Sequence, residues 1–412
     1  MAWRNLWRNR RRTLITLSSI AFGVGLSILM TSMQDRNYAD FIDIAARMGM
    51  GHVSIQHREF LDSPTLTRTV WDTGKLCALA QDNRLVRRAV PRITGQTMLS
   101  TAGESSGAAF IALDPRLEDA TTFSLTEAIA EGESFKTGSG HSIVLGAGLA
   151  KKLRARLGSR IVYTMSNKDG EIVSGLGRLS GVLHTGSPAA DNALSLLPLE
   201  TVRDLLGYAE DEATQIAIFT DDQRRSERLA EELVVDLQSS TRSDMDILPW
   251  FDSQPDLANA IAMDVAGAKF MQIFLGVLVA AGIFNTLLMS VMERMREFGI
   301  LMAIGFSPGM LFWMVMLESA WLGLLGLVSA ALVTIGPYLY LEKVGINLSG
   351  MIGADAEFTM GGFGLPTTIS VGIFPESLAI IASIALLATL LSGIYPAWKA
   401  GSAKPVETIR LV

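Results

Sequence analysis

Four stretches of the chain are nearly empty of charged residues. Residues 13–33, 270–292 and 377–398 contain no Asp, Glu, Lys or Arg, and residues 310–340 contain one acid, Glu318. Each stretch reaches the about 20 residues that carry a helix across a hydrocarbon core. Four of them predict four transmembrane helices rather than four buried helices of a soluble protein. A Gly336-Pro337 pair predicts a break near the end of the third. Between the first and second stretches the pattern changes. His52–Gln56 alternates polar and apolar residues, as a half-exposed strand does, and Ile143–Leu145, Arg160–Thr164, Ile172–Leu183 and Gln215–Phe219 also read as strands. Asn167-Lys168-Asp169-Gly170 is a turn signal, so Ile161–Leu183 is expected to contain a hairpin. Leu149–Leu157 and Arg224–Leu237 read as helices, the second with Leu229, Leu233 and Leu237 opposite Arg and Glu. The fold class is therefore an α-helical membrane protein with four transmembrane helices and a large mixed α/β extracytoplasmic domain inserted between the first and second.

Two of the helices are expected to outrun the membrane. No Gly or Pro falls between Pro255 and Gly267. A helix starting near Ser253 would run on through Met292 and span about 60 Å. The first helix is expected to continue through Asp35–Met48. Two such stalks would join the outer domain to the bilayer more rigidly than a flexible tether.

Charge assigns the sides. Charged residues make up 18% of the chain, against about 25% in soluble domains, and the apolar stretches hold the deficit. Arg4, Arg8, Arg10, Arg11 and Arg12 precede the first span, and Lys399, Lys404 and Arg410 outnumber Glu407 after the last. The positive-inside rule puts both termini in the cytoplasm. The organisation is then a cytoplasmic basic segment 1–12, span 13–33, an extracytoplasmic domain 34–269, span 270–292, and a cytoplasmic loop 293–309. Span 310–340, an extracytoplasmic loop 341–376, span 377–398 and a cytoplasmic tail 399–412 follow. The outer domain carries 24 Lys+Arg against 33 Asp+Glu, about −9. A signal peptide is the alternative for the first span, but the apolar run is too long and no small-x-small site follows. Trp3, Leu6 and Trp7 fall on one helical face before it, which suits a short helix among lipid headgroups; a plain basic flank fits as well.

The chemistry searched for is missing. The net charge of −6 excludes a nucleic-acid binder. One cysteine, Cys77, excludes a disulfide framework and any multi-cysteine metal site. His52, His57, His141 and His184 lack HExxH spacing, and no G-x-S-x-G or G-x-x-x-x-G-K-[ST] occurs. Gly146-Ala147-Gly148 reads as a tight strand-to-helix turn, not a dinucleotide fingerprint. No catalytic residue, cofactor site or metal site is expected on this chain. Glu318 is a functional candidate as an intramembrane acid, or a carboxylate near the inner interface that snorkels or faces another helix. Stripes of small residues, Ser19/Gly23/Ser27, Gly326/Ala330/Thr334 and Ala385/Thr389/Gly393, predict close helix packing.

The internal loop is the most informative segment. Glu293, Arg294, Arg296 and Glu297 cluster at its start, and Phe298, Leu301, Met302 and Ile304 supply an apolar surface after them. Gly305 is placed to end a helix and Ser307-Pro308 to cap the next. A short amphipathic cytoplasmic helix of this kind suits a groove on a soluble partner.

Here the sequence resembles the FtsX/MacB permease family of ABC transporters. Glu293-Arg294-x-Arg296-Glu297-Phe298-Gly299-Ile300-x-x-Ala303-Ile304-Gly305 looks like the family's loop signature. Tyr395-Pro396-Ala397-x-x-Ala400, followed by Lys404-Pro405-Val406-Glu407-x-Ile409-Arg410, looks like its C-terminal ending. The basic, Trp-rich start and Val144-Leu145-Gly146-x-Gly148-Leu149-Ala150 with Leu157-Gly158 are similar too. The resemblance implies a non-catalytic inner-membrane permease that works with a cytoplasmic ABC ATPase dimer, which holds the ATP and Mg. It implies a second permease copy, identical or homologous, and ATPase coupling through Glu293, Arg294, Arg296, Glu297, Phe298, Gly299 and Gly305. Within the family the chain looks most like the stand-alone LolC/LolE-like permeases. That implies lipoprotein or other hydrophobic cargo drawn from membrane lipids, with MacB-like efflux or FtsX-like activation of an outer partner as alternatives. The Ile161–Leu183 hairpin is a candidate for a cargo-handling hook, or a plain domain hairpin.

Overall fold

The computed structural model describes residues 10–119, 121–126, 128–135, 140–185, 188–237, 244–347, 359–360, 363–364 and 368–402. Trp3, Leu6, Trp7 and the Lys404–Arg410 motif lie outside them, as do residues 348–358, 361–362 and 365–367 of the 341–376 loop. The elements run α1 Arg10–Met48, β1 Val53–His57, α2 Thr73–Gln81, β2 Arg88–Ser100, β3 Ser105–Leu113, β4 Ile129–Gly132, β5 Ser142–Gly146 and α3 Ala147–Lys152. Then come β6 Arg160–Ser166, β7 Ile172–Leu183, α4 Pro188–Asp191, β8 Leu194–Pro198, α5 Leu199–Leu206, β9 Gln215–Phe219, α6 Ser226–Leu237 and β10 Met245–Pro249. Helices α7 Trp250–Ser253, α8 Pro255–Glu293, α9 Met295–Ala303, α10 Pro308–Val344 and α11 Pro375–Gly401 follow, with two-residue strands at Ile346–Asn347, Thr359–Met360, Phe363–Gly364 and Thr368–Ile369 between the last two. Two units divide it: Met1–Asn37 with Met263–Leu348 and Thr368–Val412, and Tyr38–Ala262 with Ser349–Thr367.

The first unit holds the four helices that are long and apolar enough to cross a membrane, parts of α1 and α8 with α10 and α11. Both expected continuations are present: α1 runs unbroken to Met48, and α8 starts at Pro255. The expected break at Gly336-Pro337 is not. Helix α10 passes through Pro337 to Val344. A proline removes one donor and leaves one carbonyl free, a cost that a long helix absorbs when nearby groups re-satisfy it.

The stripes on α10 and α11 lie where these helices touch, whereas Ser19 of the first stripe is exposed and bonds the Ile15 carbonyl of its own helix. Gly326 faces Ile20, and Ala330 is fully buried against the Leu17–Val24 turns of α1. Gly323 lies against Thr389 and Leu386, and Gly393 against Ser319. Ser319 donates its hydroxyl to the Thr389 carbonyl at 2.7 Å. Ser392 does the same to the Ala280 carbonyl, at 3.0 Å, and the Gln272 side-chain amide donates to Thr31 Oγ1, at 2.5 Å. Helices pressed this closely exchange dispersion contacts and hydrogen bonds that lipid tails do not offer.

In the second unit, strand β2 belongs to two structures at once. Its residues Arg88–Arg92 pair with β9, and Ile93–Ser100 pair with β3. From β3 the pairing continues through β8, β5 and β7 to β6, and β6 returns to β2 at Met98–Ser100. Six strands thus close a barrel, which leaves no unpaired edge around the ring. Phe110, Leu145, Ile161, Tyr163 and Leu179 fill it, and Leu149 of α3 and Val202 of α5 join that core. The Ile161–Leu183 hairpin is therefore a barrel wall, not a projecting hook. Its turn is pinned: Lys168 Nζ lies 2.6 Å from the fully buried Glu212 and 3.9 Å from the centre of the Trp71 ring. Gly175 sits opposite Tyr163 in register, where the Tyr163 ring occupies the space of a side chain. The helix expected over Leu149–Leu157 stops at Lys152, because Arg154 takes a left-handed conformation with φ 48°.

The other end of β2 supports a smaller lobe, β10-β1-β9-β2, with α2 and α6 on one face around Val53, Ile55, Leu76, Ile218 and Leu233. On the opposite face the end of α1 packs its Ala46 against Val90, Ala217 and Phe219. Arg92 secures this face. Its side chain is wholly buried and bonds both Glu118 oxygens at 2.8 and 3.0 Å. It also donates to the Gly49 carbonyl at 2.5 Å and the Thr122 carbonyl at 2.9 Å, between the Phe123 and Phe219 rings. A buried guanidinium persists only when its donors are filled in this way. Asp43, on the same stretch of α1, lies 3.3 Å from His52 Nε2 and pairs with Arg47. Burial pushes its carboxyl up, but the His52 hydrogen bond and the Arg47 charge outweigh that and hold it below the ordinary value.

Candidate functional site

The loop helix is built as a stop, a turn and a restart. Helix α8 ends at Glu293, Arg294 breaks its path with φ −103° and ψ 8°, and α9 begins at Met295. At the far end of α9, Gly305 takes φ +106°. The Phe306 N–H returns to the Leu301 carbonyl at 3.1 Å and the Gly305 N–H to Met302 at 3.0 Å, which is the Schellman pattern that a glycine permits. Two residues on, Ser307 Oγ accepts from the Met310 N–H at 3.3 Å, and Pro308 opens α10. These caps stand where the residue types placed them.

One face of α9 is locked inward. Phe298 is fully buried among Val291, Leu311, Val315, Ala397 and Ala400. Gly299 is buried beside it. Ala397 and Ala400 belong to the C-terminal Tyr395-Pro396-Ala397-x-x-Ala400 motif, so the two motifs remote in sequence meet in one core. Phe298 and Gly299 are consequently positioning residues and not part of an outward docking face. The outward face is narrower than expected: Arg296, Ile300, Ile304 and Phe306 are exposed, with Ile304 at 73%. Glu293 is exposed at the joint, and Glu297 is half-buried.

Arg294 and Glu318, two separate candidates in sequence, form one ion pair. Arg294 Nη1 donates to both Glu318 oxygens, at 3.0 and 3.1 Å. Its Nε lies 3.4 Å from Glu297, and its guanidinium carbon 5.1 Å from the Phe298 ring centre. The side chains of both partners are largely buried, at 14% and 7% exposure. The acid therefore neither snorkels nor stands alone; it ties α10 to the start of α9. A signal for this existed. Nine residues of α9 run out from Arg294, and ten residues of α10 return from Pro308 before Glu318. Arms of nearly equal length put those two positions side by side.

The remaining candidates are structural. A side chain at Gly146 would meet the Asp191 backbone and one at Gly148 would meet Asn192, so both glycines serve the approach of α4 to the β5–α3 turn. His52 is buried and accepts from the Thr220 N–H at 3.3 Å; His184 lies 3.1 Å from Asp191. Among the described residues no group of His, Cys, Asp and Glu gathers to hold a metal. Burial pushes the Cys77 thiol up to about 12, against the pull of Arg203, which disfavours a thiolate.

Long apolar helices, a two-faced helix at a loop and a separate mixed α/β unit are the parts of a multi-pass permease. Residues 13–234 match the family of MacB-like periplasmic core domains, and residues 269–405 match the FtsX-like permease C-terminal family. The chain belongs to this FtsX/MacB family of ABC transporter permeases. It is 22% identical to the lipoprotein-releasing system transmembrane protein LolC of Neisseria meningitidis, over 97% of this chain and 94% of that one. It is 25% identical to the pyoverdine export ATP-binding/permease protein PvdT of Pseudomonas aeruginosa, over 99% of this chain and 58% of that longer one. A crystal structure of the periplasmic region of MacB from Actinobacillus actinomycetemcomitans aligns with 53% of this chain and 96% of that one, at 16% identity and a TM-score of 0.36.

Proposed function

We propose that this chain is the non-catalytic permease of an inner-membrane ABC transporter that releases lipoproteins from the membrane. In this reading both termini and α9 face the cytoplasm, and the Tyr38–Ala262 unit is periplasmic. A partner ATPase dimer binds ATP and Mg, and a second permease copy completes the assembly. The carrying observation is the two-faced α9. Phe298 and the Arg294–Glu318 pair fix its inner side to α10 and α11, while Arg296, Ile300, Ile304 and Phe306 stand outward. Force applied by an ATPase to that outer side passes directly into the spanning helices. The likeness to LolC along nearly the whole of both chains supports lipoproteins as cargo.

Export of small hydrophobic compounds is the second reading, favoured by the match to PvdT over 99% of this chain. A photo-crosslinking scan across residues 34–269 separates the two. Lipoprotein adducts are expected. Capture of small compounds or an adaptor alone moves the assignment to efflux, and capture of a wall-acting protein without cargo moves it to an activator.

Coupling has its own test. Glu297→Lys places a second cation beside Arg294, and Gly299→Pro removes an α9 hydrogen bond at a cost of about 3 kcal/mol. Both variants are expected to insert and to bind the ATPase, yet to hydrolyse ATP without cargo release. Full release activity in both would remove α9 from the mechanism.

A further inference from the structure

Hydrocarbon makes no demand on an apolar helix face, but it leaves a polar side chain without a partner. Asn285 is such a side chain. It lies in α8 within the uncharged run 270–292, about 12 Å along the helix from Glu293. It is exposed, and its amide makes no hydrogen bond among the described residues. Other polar groups of the same helix are satisfied: Gln272 donates to Thr31, and the Thr286 hydroxyl donates to the Gly282 carbonyl at 2.9 Å. Helix α8 is also the least covered of the four spanning helices. Only 11% of its most apolar stretch is buried, against 22–39% in the others.

The open surface around Asn285 has a pattern. Phe274, Leu278, Ala281, Asn285, Leu288 and Met292 follow one another at spacings of four, three, four, three and four. That is the heptad spacing of two helices packed at a shallow left-handed crossing. Phe274, Leu278 and Met292 are 50–55% exposed. The opposite side of α8 is already occupied: Ile283 and Leu287 are buried with Leu17 and Ile20 of α1 and Leu322 of α10. A single asparagine in an apolar heptad seam fixes register, because its amide both donates and accepts and is satisfied only by a polar group at its own level. A second copy of this chain supplies that group. Two copies with one topology run their α8 helices parallel, so Asn285 meets its own counterpart and the two amides exchange hydrogen bonds. Ala281, one turn away, lets the backbones approach. We infer that two copies of the chain pair along this stripe of α8, with Asn285 setting the register. The inference rests on the reading that the transporter holds a second permease copy, and it commits that copy to be identical.

The test uses the full chain in native membranes, co-expressed under two epitope tags. Cys77 is buried, so an introduced cysteine dominates oxidation by copper phenanthroline. Leu278→Cys and Ala281→Cys are expected to give a disulfide-linked pair carrying both tags. Ile273→Cys, 58% exposed on another side of α8, is expected to give none. Single-molecule photobleaching after dilution into lipid vesicles reads the pairing itself. Asn285→Leu favours insertion, and it should weaken pairing about tenfold, whereas Asn285→Gln should retain most of it. Unchanged pairing in Asn285→Leu overturns the inference. Crosslinks at Ile273→Cys with none along the stripe overturn it too, and co-purification of both tags then leaves the two-copy reading standing. Crosslinks from the stripe to a homologous permease overturn the identical copy and leave the two-permease assembly. Absence of any second permease removes that assembly and the inference together.

Discussion

A Glu318→Ala chain is expected to lose about 3–5 kcal/mol of stability, because the change strands the Arg294 guanidinium in a largely buried site. Arg294→Ala should cost a similar amount by stranding the acid. The Arg294→Met/Glu318→Met double variant should recover most of the loss. Replacing both charges with apolar groups of similar volume removes the desolvation penalty along with the attraction. Denaturant unfolding in detergent, followed by tryptophan fluorescence, gives all three values. The function should separate from the stability. The double variant is expected to be stable yet poorly coupled, since α9 would pivot at residue 294 without its tie to α10. Wild-type unfolding midpoints for both single variants would dismiss the pair as a structural element.

Arg92→Met is expected to be the most damaging single change in the Tyr38–Ala262 unit, at about 3–5 kcal/mol. It leaves Glu118, with 2% of its side chain exposed, as a buried and unpaired carboxylate, and it frees the Gly49 and Thr122 carbonyls. Arg92→Lys keeps the charge but not the planar fork, so it should recover only part of the loss. Hydrogen exchange on the full chain provides a local readout. The amides of Ala46–Met50 should lose protection in Arg92→Met while the barrel strands β5 and β6 retain theirs. Uniform loss across the unit would mean that Arg92 supports the whole fold and not the end of α1.

How far the sequence reached depended on how strict each physical constraint is. Hydrocarbon tolerates almost no charge, so the four apolar helices were visible directly. The extensions of α1 and α8 were visible as well, because nothing in Asp35–Met48 or between Pro255 and Gly267 interrupts a helix. The caps at Gly305 and Ser307-Pro308 were legible because each answers a local backbone need. What failed was tertiary. Strand β2 is the backbone of its unit, yet Pro91 and a buried Arg92 give it neither alternation nor an apolar run. Phe298 looked like a docking residue because periodicity marks a face as apolar without saying what covers it. Glu318 and Arg294 were both visible as unusual, but their meeting depends on the fold-back of α9 against α10.

The seam between α10 and α11 has a further consequence. Gly323 lies against the Thr389 side chain, Gly393 against the Ser319 side chain, and Gly401 against the Pro308 carbonyl, so the two helices approach closely at three levels along an antiparallel line. Each level fits only because a missing or small side chain faces a particular neighbour. Sliding one helix past the other by a single turn would break the Ser319–Thr389 hydrogen bond and move Gly401 away from the Pro308 carbonyl. Packed interfaces of this kind have discrete resting positions and little compliance between them. Helices α10 and α11 therefore act as one beam, and in the proposed coupling a stroke delivered at α9 displaces that beam against α1 and α8.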